Sequence, residues 1–279
     1  MSYVHDVQKI NDRLYCIKDV QSINKYLIVG SEKALVFDTG FGFTDFKPVI
    51  RELTDLDYYV VDSHSDVDHA SGNYLFDEVY IGIHDYKNLS YIEDPEYRKV
   101  QVDYRISKHP ALVDEMDLDA YYQMSAYHTN YRFLEGGEVF DLGDLKLEVI
   151  PIPGHTGGSV CLFERSKGWL FTGDSVMKYN VYYAQEQCEP LKVYYHSLKK
   201  LQTMENEVST IFPGHGEYGI PAHFISDLMT NVEEILSQEE EDEFVNLPFG
   251  MVGYKHTYAD TLIYYSKAQR DMLQAHGLS

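Results

Sequence analysis

Cysteine, basic charge and long apolar runs are all scarce in these 279 residues. The three cysteines, Cys16, Cys161 and Cys188, are too few and too scattered for a disulfide framework, which excludes the small stapled secreted scaffolds. Two of them fall in strand-like runs, where a small buried thiol is ordinary. Lys and Arg number 23 against 45 Asp and Glu, a net charge of -22. A surface of that sign repels phosphate backbones and anionic lipids, so neither nucleic acid nor a membrane surface is an expected partner. No stretch approaches the ~20 apolar residues that cross a bilayer. Residues 1–10 show no apolar run behind a basic segment, so no signal peptide is visible. These absences lead to the expectation of a reduced, cytoplasmic protein that acts on a small molecule. Nor does a Pro-, Gly- or Ser-rich linker divide the chain, which is read as a single domain over 1–279 with a sizeable core.

What is present is a recurring pairing of apolar strands with potential metal ligands. Tyr58 to Val61 is a short apolar run, and the loop after it carries His64, Asp66, Asp68 and His69 before Gly72-Asn73 turns the chain. Imidazole and carboxylate are what a borderline divalent cation selects, and a strand-end loop is held in place by its sheet. Three later junctions repeat the arrangement. Pro153-Gly154-His155-Thr156-Gly157-Gly158 sets a His in a glycine-rich turn, Thr172-Gly173-Asp174 ends a strand on an Asp, and Pro213-Gly214-His215-Gly216 ends another on a His.

The set His64-x-Asp66-x-Asp68-His69, Gly154-His155, Gly173-Asp174 and Pro213-Gly214-His215-Gly216, with Asp38-Thr39-Gly40 upstream, resembles the metallo-β-lactamase superfamily. The family's leading motif is usually written HxHxDH, and its second His is Asp66 here. The resemblance covers about residues 10 to 220. It implies an α/β fold, an αββα four-layer sandwich with metals at one edge, and says little about substrate.

Along the chain, strands are expected at Leu14 to Lys18, Ile23 to Val29, Ala34 to Asp38, Tyr58 to Asp62 and Glu78 to Gly82, with a helix over Phe43 to Leu53 and a short one near Gly72 to Phe76. A helical, tyrosine-rich insert is read over 84–131, with helices at Pro95 to Ser107 and Pro110 to Ser125, each opening on a proline where proline is tolerated. A lid over the site or a homodimer contact suits its tyrosines, which bury a large ring and keep a polar tip. Strands return at Val139 to Leu142, Leu145 to Ile152, Val160 to Glu164 and Trp169 to Gly173. Helices at Leu191 to Met204 and Ala222 to Gln238 flank a strand at Thr210 to Pro213, and a final strand is read at Thr261 to Tyr265.

By the resemblance, His64, Asp66 and His155 hold one divalent cation, Asp68, His69 and His215 a second, and Asp174 bridges them. Such a pair, roughly 3.5 to 4 Å apart, lowers the pKa of a bridging water until hydroxide forms near neutrality, and Asp68 orients it and takes its proton. A small ester, thioester, lactone or phosphodiester is the expected substrate. Lys178 and Tyr179, in the loop leaving Asp174, and His256 in the tail are candidate substrate contacts. Asp66 lowers the net charge of the site from about +1 to about zero, which weakens both Lewis acids. It also moves the first site from zinc toward iron or manganese. It is similar to the carboxylate of flavodiiron proteins, so a non-haem di-iron oxidoreductase with electrons from a separate partner is the alternative.

Overall fold

Short apolar runs at the start of the chain form β1 (Val4–Asn11), β2 (Leu14–Asp19), β3 (Ile23–Val29) and β4 (Ala34–Phe37), paired antiparallel in succession. From β4 the ladder continues in parallel to β5 (Tyr58–Val61), β6 (Glu78–Gly82) and β7 (Asn130–Leu134), giving a seven-stranded sheet in chain order. The computed structural model describes residues 4–20, 23–124, 129–178 and 181–272, and the chain divides into two compact units, 1–147 and 148–279.

In the first unit, parallel neighbours require crossovers, and α1 (Lys47–Leu53) supplies the one between β4 and β5. Its Ile50 packs with Phe46, Val36 and Val60. The helix begins four residues later than the apolar spacing suggested, because Asp45 accepts the Lys47 amide at 2.9 Å and Pro48 occupies the first turn. Because β4 and β5 are parallel, with Val36 opposite Val60 and Phe37 opposite Val61, they end side by side and open into adjacent loops. The loop after β5 contains the one-turn α2 (Val67–Ala70), then a 3-10 turn over Ser71–Leu75.

The insert holds α3 (Ser90–Glu93), α4 (Pro95–Lys108) and α5 (Leu118–Gln123), and β8 (Val139–Asp141) follows β7. The single helix expected from Pro110 to Ser125 is broken. Pro110–Asp114 is a 3-10 turn and α5 starts afresh at Leu118, because Asp117 caps the Ala120 amide while its own amide donates to Phe43 O at 2.8 Å. Ser125 lies outside the described residues. Ile92, Val102, Leu112, Tyr121 and Met124 share one core with Phe41, Phe43, Val67 and Ala70, so the insert packs directly on α2. Tyr91 and Tyr122 remain exposed.

In the second unit, β9 (Lys146–Pro151), β10 (Val160–Glu164), β11 (Trp169–Gly173) and β13 (Thr210–Pro213) lie in the order β13-β11-β10-β9, with β11 and β13 parallel. A four-stranded sheet in the order β12-β16-β15-β14 uses β12 (Val181–Tyr183), β14 (Glu243–Asn246), β15 (Val252–Tyr258) and β16 (Thr261–Tyr265). The helices α6 (Leu191–Gln202) and α7 (Phe224–Ser237) pack their apolar stripes into this unit's core, and α8 (Lys267–Asp271) follows β16. β1, β7, β14 and β15 went unread in the sequence because they are half-exposed, with too few apolar positions to show a period of two. Among the described residues no helix is long and apolar enough to cross a membrane, and the three cysteines are buried without a disulfide.

Candidate metal centre

The strand ends of the first unit place Asp38 beside the ligand loop. Asp38 takes a left-handed backbone, φ 68°, uncommon for a residue with a side chain and found where surrounding bonds enforce it. Its Oδ1 accepts the Ser63 amide at 2.6 Å, and its Oδ2 accepts the Ser63 hydroxyl at 2.9 Å and His69 Nδ1 at 2.8 Å. Since Ser63 Oγ gives its one proton to Asp38, it accepts from His64 Nδ1 at 2.9 Å. Both imidazoles therefore carry a proton on Nδ1, which leaves Nε2 as the nitrogen each neutral ring can offer to a metal.

The backbone fixes the same loop. His69 O accepts from Thr39 N, Gly40 N and Thr39 Oγ1, and Asp66 O accepts the amides of His69 and Ala70. Buried Asp85, at the root of the insert, accepts the Ser65 amide at 2.9 Å, between the first two ligands. Asp62 is fully buried and accepts from Asn73 Nδ2 at 2.6 Å; burial, then the charge of Asp38, pushes its carboxyl well above the usual range. In the result, His64 Nε2 stands 3.7 Å from Asp66 Oδ2 and His69 Nε2 stands 4.0 Å from Asp68 Oδ1, with ring centroids 4.2 Å apart. The imidazoles are 1% and 0% exposed and the carboxylates 16% and 18%, so the nitrogens are held in the interior while the oxygens reach toward solvent. Desolvation, then the charges of Asp66 and Asp68, raises the pKa of the Tyr97 phenol on α4, which puts the insert within electrostatic reach of the ligand loop.

In the second unit the parallel ends of β11 and β13 are tied by Gly214 N donating to Gly173 O at 2.8 Å, so Asp174 and His215 leave adjacent strands together. The His155 turn is closed by Gly154 N donating to Thr156 O and Ile152 N donating to Ser159 O. Asp174 Oδ2 lies 3.8 Å from His155 Nε2 and 3.3 Å from His215 Nε2. One carboxylate oxygen thus faces two imidazole nitrogens.

These separations fit a cation. Donors roughly 2.0–2.1 Å from a tetrahedral ion stand about 3.3–3.4 Å from one another. The nitrogen–oxygen pairs of both units, 3.3 to 4.0 Å apart, lie at or a little beyond that spacing and mostly outside hydrogen-bond range. Imidazole with carboxylate suits zinc, iron or manganese.

The candidate substrate contacts fare differently. Lys178 Nζ lies 3.6 Å from Glu217 Oε2, joining the loop after Asp174 to the one after His215. Tyr179 lies outside the described residues. His256, on β15, has Nδ1 2.9 Å from Asp242 Oδ1 and Nε2 3.0 Å from Glu234 Oε2, so both ring nitrogens face carboxylates of its own unit. In the sequence Asp38-Thr39-Gly40 stands out as a motif without a role for Asp38, and Ser63 and Asp85 do not stand out. Ser63 had adjacency to His64 as a signal; Asp85, twenty residues from its partner, had none.

Residues 19–215 match the family pattern of the metallo-beta-lactamase superfamily. The acyl-coenzyme A thioesterase MBLAC2 of Gallus gallus is 28% identical over 178 residues, 60% of this chain and 61% of that protein. The chain thus spans less than two thirds of the length of that relative. A probable metallo-hydrolase of Methanocaldococcus jannaschii is 28% identical over 213 residues, 71% of this chain and 89% of that one. The crystal structure of a metallo-beta-lactamase family protein from Thermus thermophilus superposes with a TM-score of 0.59 at 18% identity, covering 82% of each chain, a likeness of fold alone. With a family match over most of its length and an α/β architecture shared with solved members, the chain belongs to the metallo-beta-lactamase superfamily.

Proposed function

We propose that this chain is a dinuclear metal-dependent hydrolase of a small acyl thioester or a related ester, lactone or phosphodiester. In this reading His64, Asp66 and His155 would hold one cation and Asp68, His69 and His215 the other, with Asp174 available to both. The observation that carries the reading is Asp174 Oδ2 facing Nε2 of both His155 and His215. A single carboxylate opposite two imidazoles is the pattern of a bridging ligand, and the His64–Asp66 and His69–Asp68 pairs match it with two further donor pairs. Bound divalent cations supply Lewis acidity and bring the pKa of water toward neutrality.

The chain's own residues do the rest. Asp38 holds the His69 ring in its Nδ1–H tautomer and, through Ser63, the His64 ring as well. Asp68, with a carboxylate that reaches solvent, orients the attacking water and accepts its proton. Lys178 receives an anionic group of the substrate, exchanging Glu217 for it. A thioester heads the substrate classes because a relative at 28% identity carries the name acyl-coenzyme A thioesterase. The 3.7 Å separation of Asp66 Oδ2 from His64 Nε2 supports a second reading, a di-iron oxidoreductase fed electrons by a partner, because that oxygen favours iron or manganese.

Elemental analysis of chain purified without added metal, with assays on short- and long-chain acyl-coenzyme A, an aryl ester, a lactone and an aryl phosphodiester, tests both. Thioester turnover that tracks metal content and is lost in Asp174→Asn is expected. Bound iron with oxygen uptake and no hydrolysis would favour the second reading. Hydrolysis indifferent to chelation and to Asp174→Asn would sink both.

A further inference from the structure

We propose that Tyr194 is a positioning residue for the metal ligands of the C-terminal unit, setting the turn that carries His155 against the loop that carries Asp174; the proposal rests on the dinuclear reading above. Leu191, Tyr194, Leu198 and Leu201 form the buried stripe of α6, and there a tyrosine looks like one more core ring. A core position has no need of a hydroxyl, and a buried hydroxyl costs stability unless it is bonded. The Tyr194 hydroxyl donates to Ser175 O at 2.5 Å, the carbonyl directly after Asp174. Burial pushes the phenol far above its usual pKa, which keeps the donor proton in place.

The ring of the same residue lies against Gly154, directly before His155. A Cβ at Gly154 would stand 2.5 Å from Tyr194 Cδ2, so glycine is what lets the turn approach the ring. Stacking on Tyr183, centroids 5.1 Å apart at 25°, holds the ring from another side. One helical turn on, Ser197 Oγ donates to Pro153 O at 2.7 Å, and the Glu189 amide, just ahead of α6, donates to Gly154 O at 2.8 Å. The helix is therefore fastened to the His155 turn by packing and hydrogen bonds, while the Asp174 loop is fastened to it by the Tyr194 hydroxyl. Since Asp174 Oδ2 faces both imidazoles, a shift of its backbone disturbs both donor pairs at once.

The test compares the full-length wild type with Tyr194→Phe, which keeps the ring and removes the hydroxyl. Tyr195→Phe is the control, losing a hydroxyl bonded to Glu233 on the exposed side of α6. Each protein is stripped with chelator, its melting temperature recorded, and then titrated with Zn2+ and with Mn2+ against a chromogenic competitor. Loss of a ligand's own outer partner typically weakens affinity roughly 10–100-fold, and loss of a bond to the neighbouring residue should fall at the low end, about 10-fold. That loss is expected for Tyr194→Phe, with a stripped-protein melting temperature near wild type and no change in Tyr195→Phe. Wild-type affinity in Tyr194→Phe overturns the proposal, whereas a wild type that binds neither cation overturns the dinuclear reading itself. Should Tyr194→Phe not fold, Gly154→Ala tests the same contact, since its added Cβ would meet the Tyr194 ring at 2.5 Å, and unchanged affinity there also overturns the proposal.

Discussion

Acid should loosen the N-terminal strand through His5. Lys25 is fully buried, and its ammonium lies 3.0 Å from His5 Nδ1, 3.3 Å from Asp19 Oδ2 and 4.1 Å from the Phe46 ring centroid. An ammonium only donates, so His5 Nδ1 is the acceptor and the ring is neutral. Protonating Nδ1 would set two cations face to face away from water. Burial first, and the Lys25 charge second, push the His5 pKa down from 6.5 to about 3. Between those values the unfolded chain takes up a proton that the folded chain refuses. The contribution of His5 is therefore complete above pH 6.5 and falls as pH drops toward 3. At about 1.4 kcal/mol per unit, the loss is roughly 3 kcal/mol by pH 4.5 and on the order of 5 kcal/mol when complete. The measurement is urea denaturation from pH 7.5 to 4.5 on wild type and His5→Asn, with hydrogen exchange of the β1 amides alongside. Asn keeps an acceptor for Lys25, tolerates the left-handed φ of 66° at this position and does not titrate. The wild type should lose about 3 kcal/mol more than His5→Asn over that range. Parallel curves would refute the reasoning, since the ring would then charge as readily in the folded chain as in the unfolded one.

Lys25→Met should destabilise by about 3–5 kcal/mol, because it leaves the Asp19 carboxylate buried without its cation, and adding Asp19→Asn should recover much of that; denaturant midpoints check both. Asp38→Ala removes the acceptor of His69 Nδ1 and of both Ser63 donors, and should weaken cation binding roughly 10–100-fold in competition with a chelator. Asp66→His should shift the metal found by elemental analysis toward zinc; identical metal content and identity would refute the tuning role given to Asp66.

The loops that carry the candidate donors are legible in the sequence. Each follows a short apolar run, and the change from apolar to His, Asp and Gly is local, written within about ten residues as at Tyr58 to His69. The strands β4 and β11 were legible for the same reason, being buried almost throughout and largely apolar, and β5 and β6, though partly half-buried, still carry short apolar runs. Half-exposed strands such as β14 and β15 were not, and neither was the break at Asp117, because what ends the helix is Phe43 O, seventy-four residues away. Helix propensity acts through neighbours a turn apart, whereas that hydrogen bond exists only once the chain has folded back on itself.

What the sequence determined by itself was therefore the donor types, their local spacing and the excess of acidic over basic residues. Tertiary structure alone decided which nitrogen of each imidazole carries the proton, through Asp38 and Ser63, and which core tyrosine fastens the Asp174 loop, through Ser175. Those outcomes depend on ångström-scale contacts between residues far apart in the chain, and no periodicity or composition records such a contact.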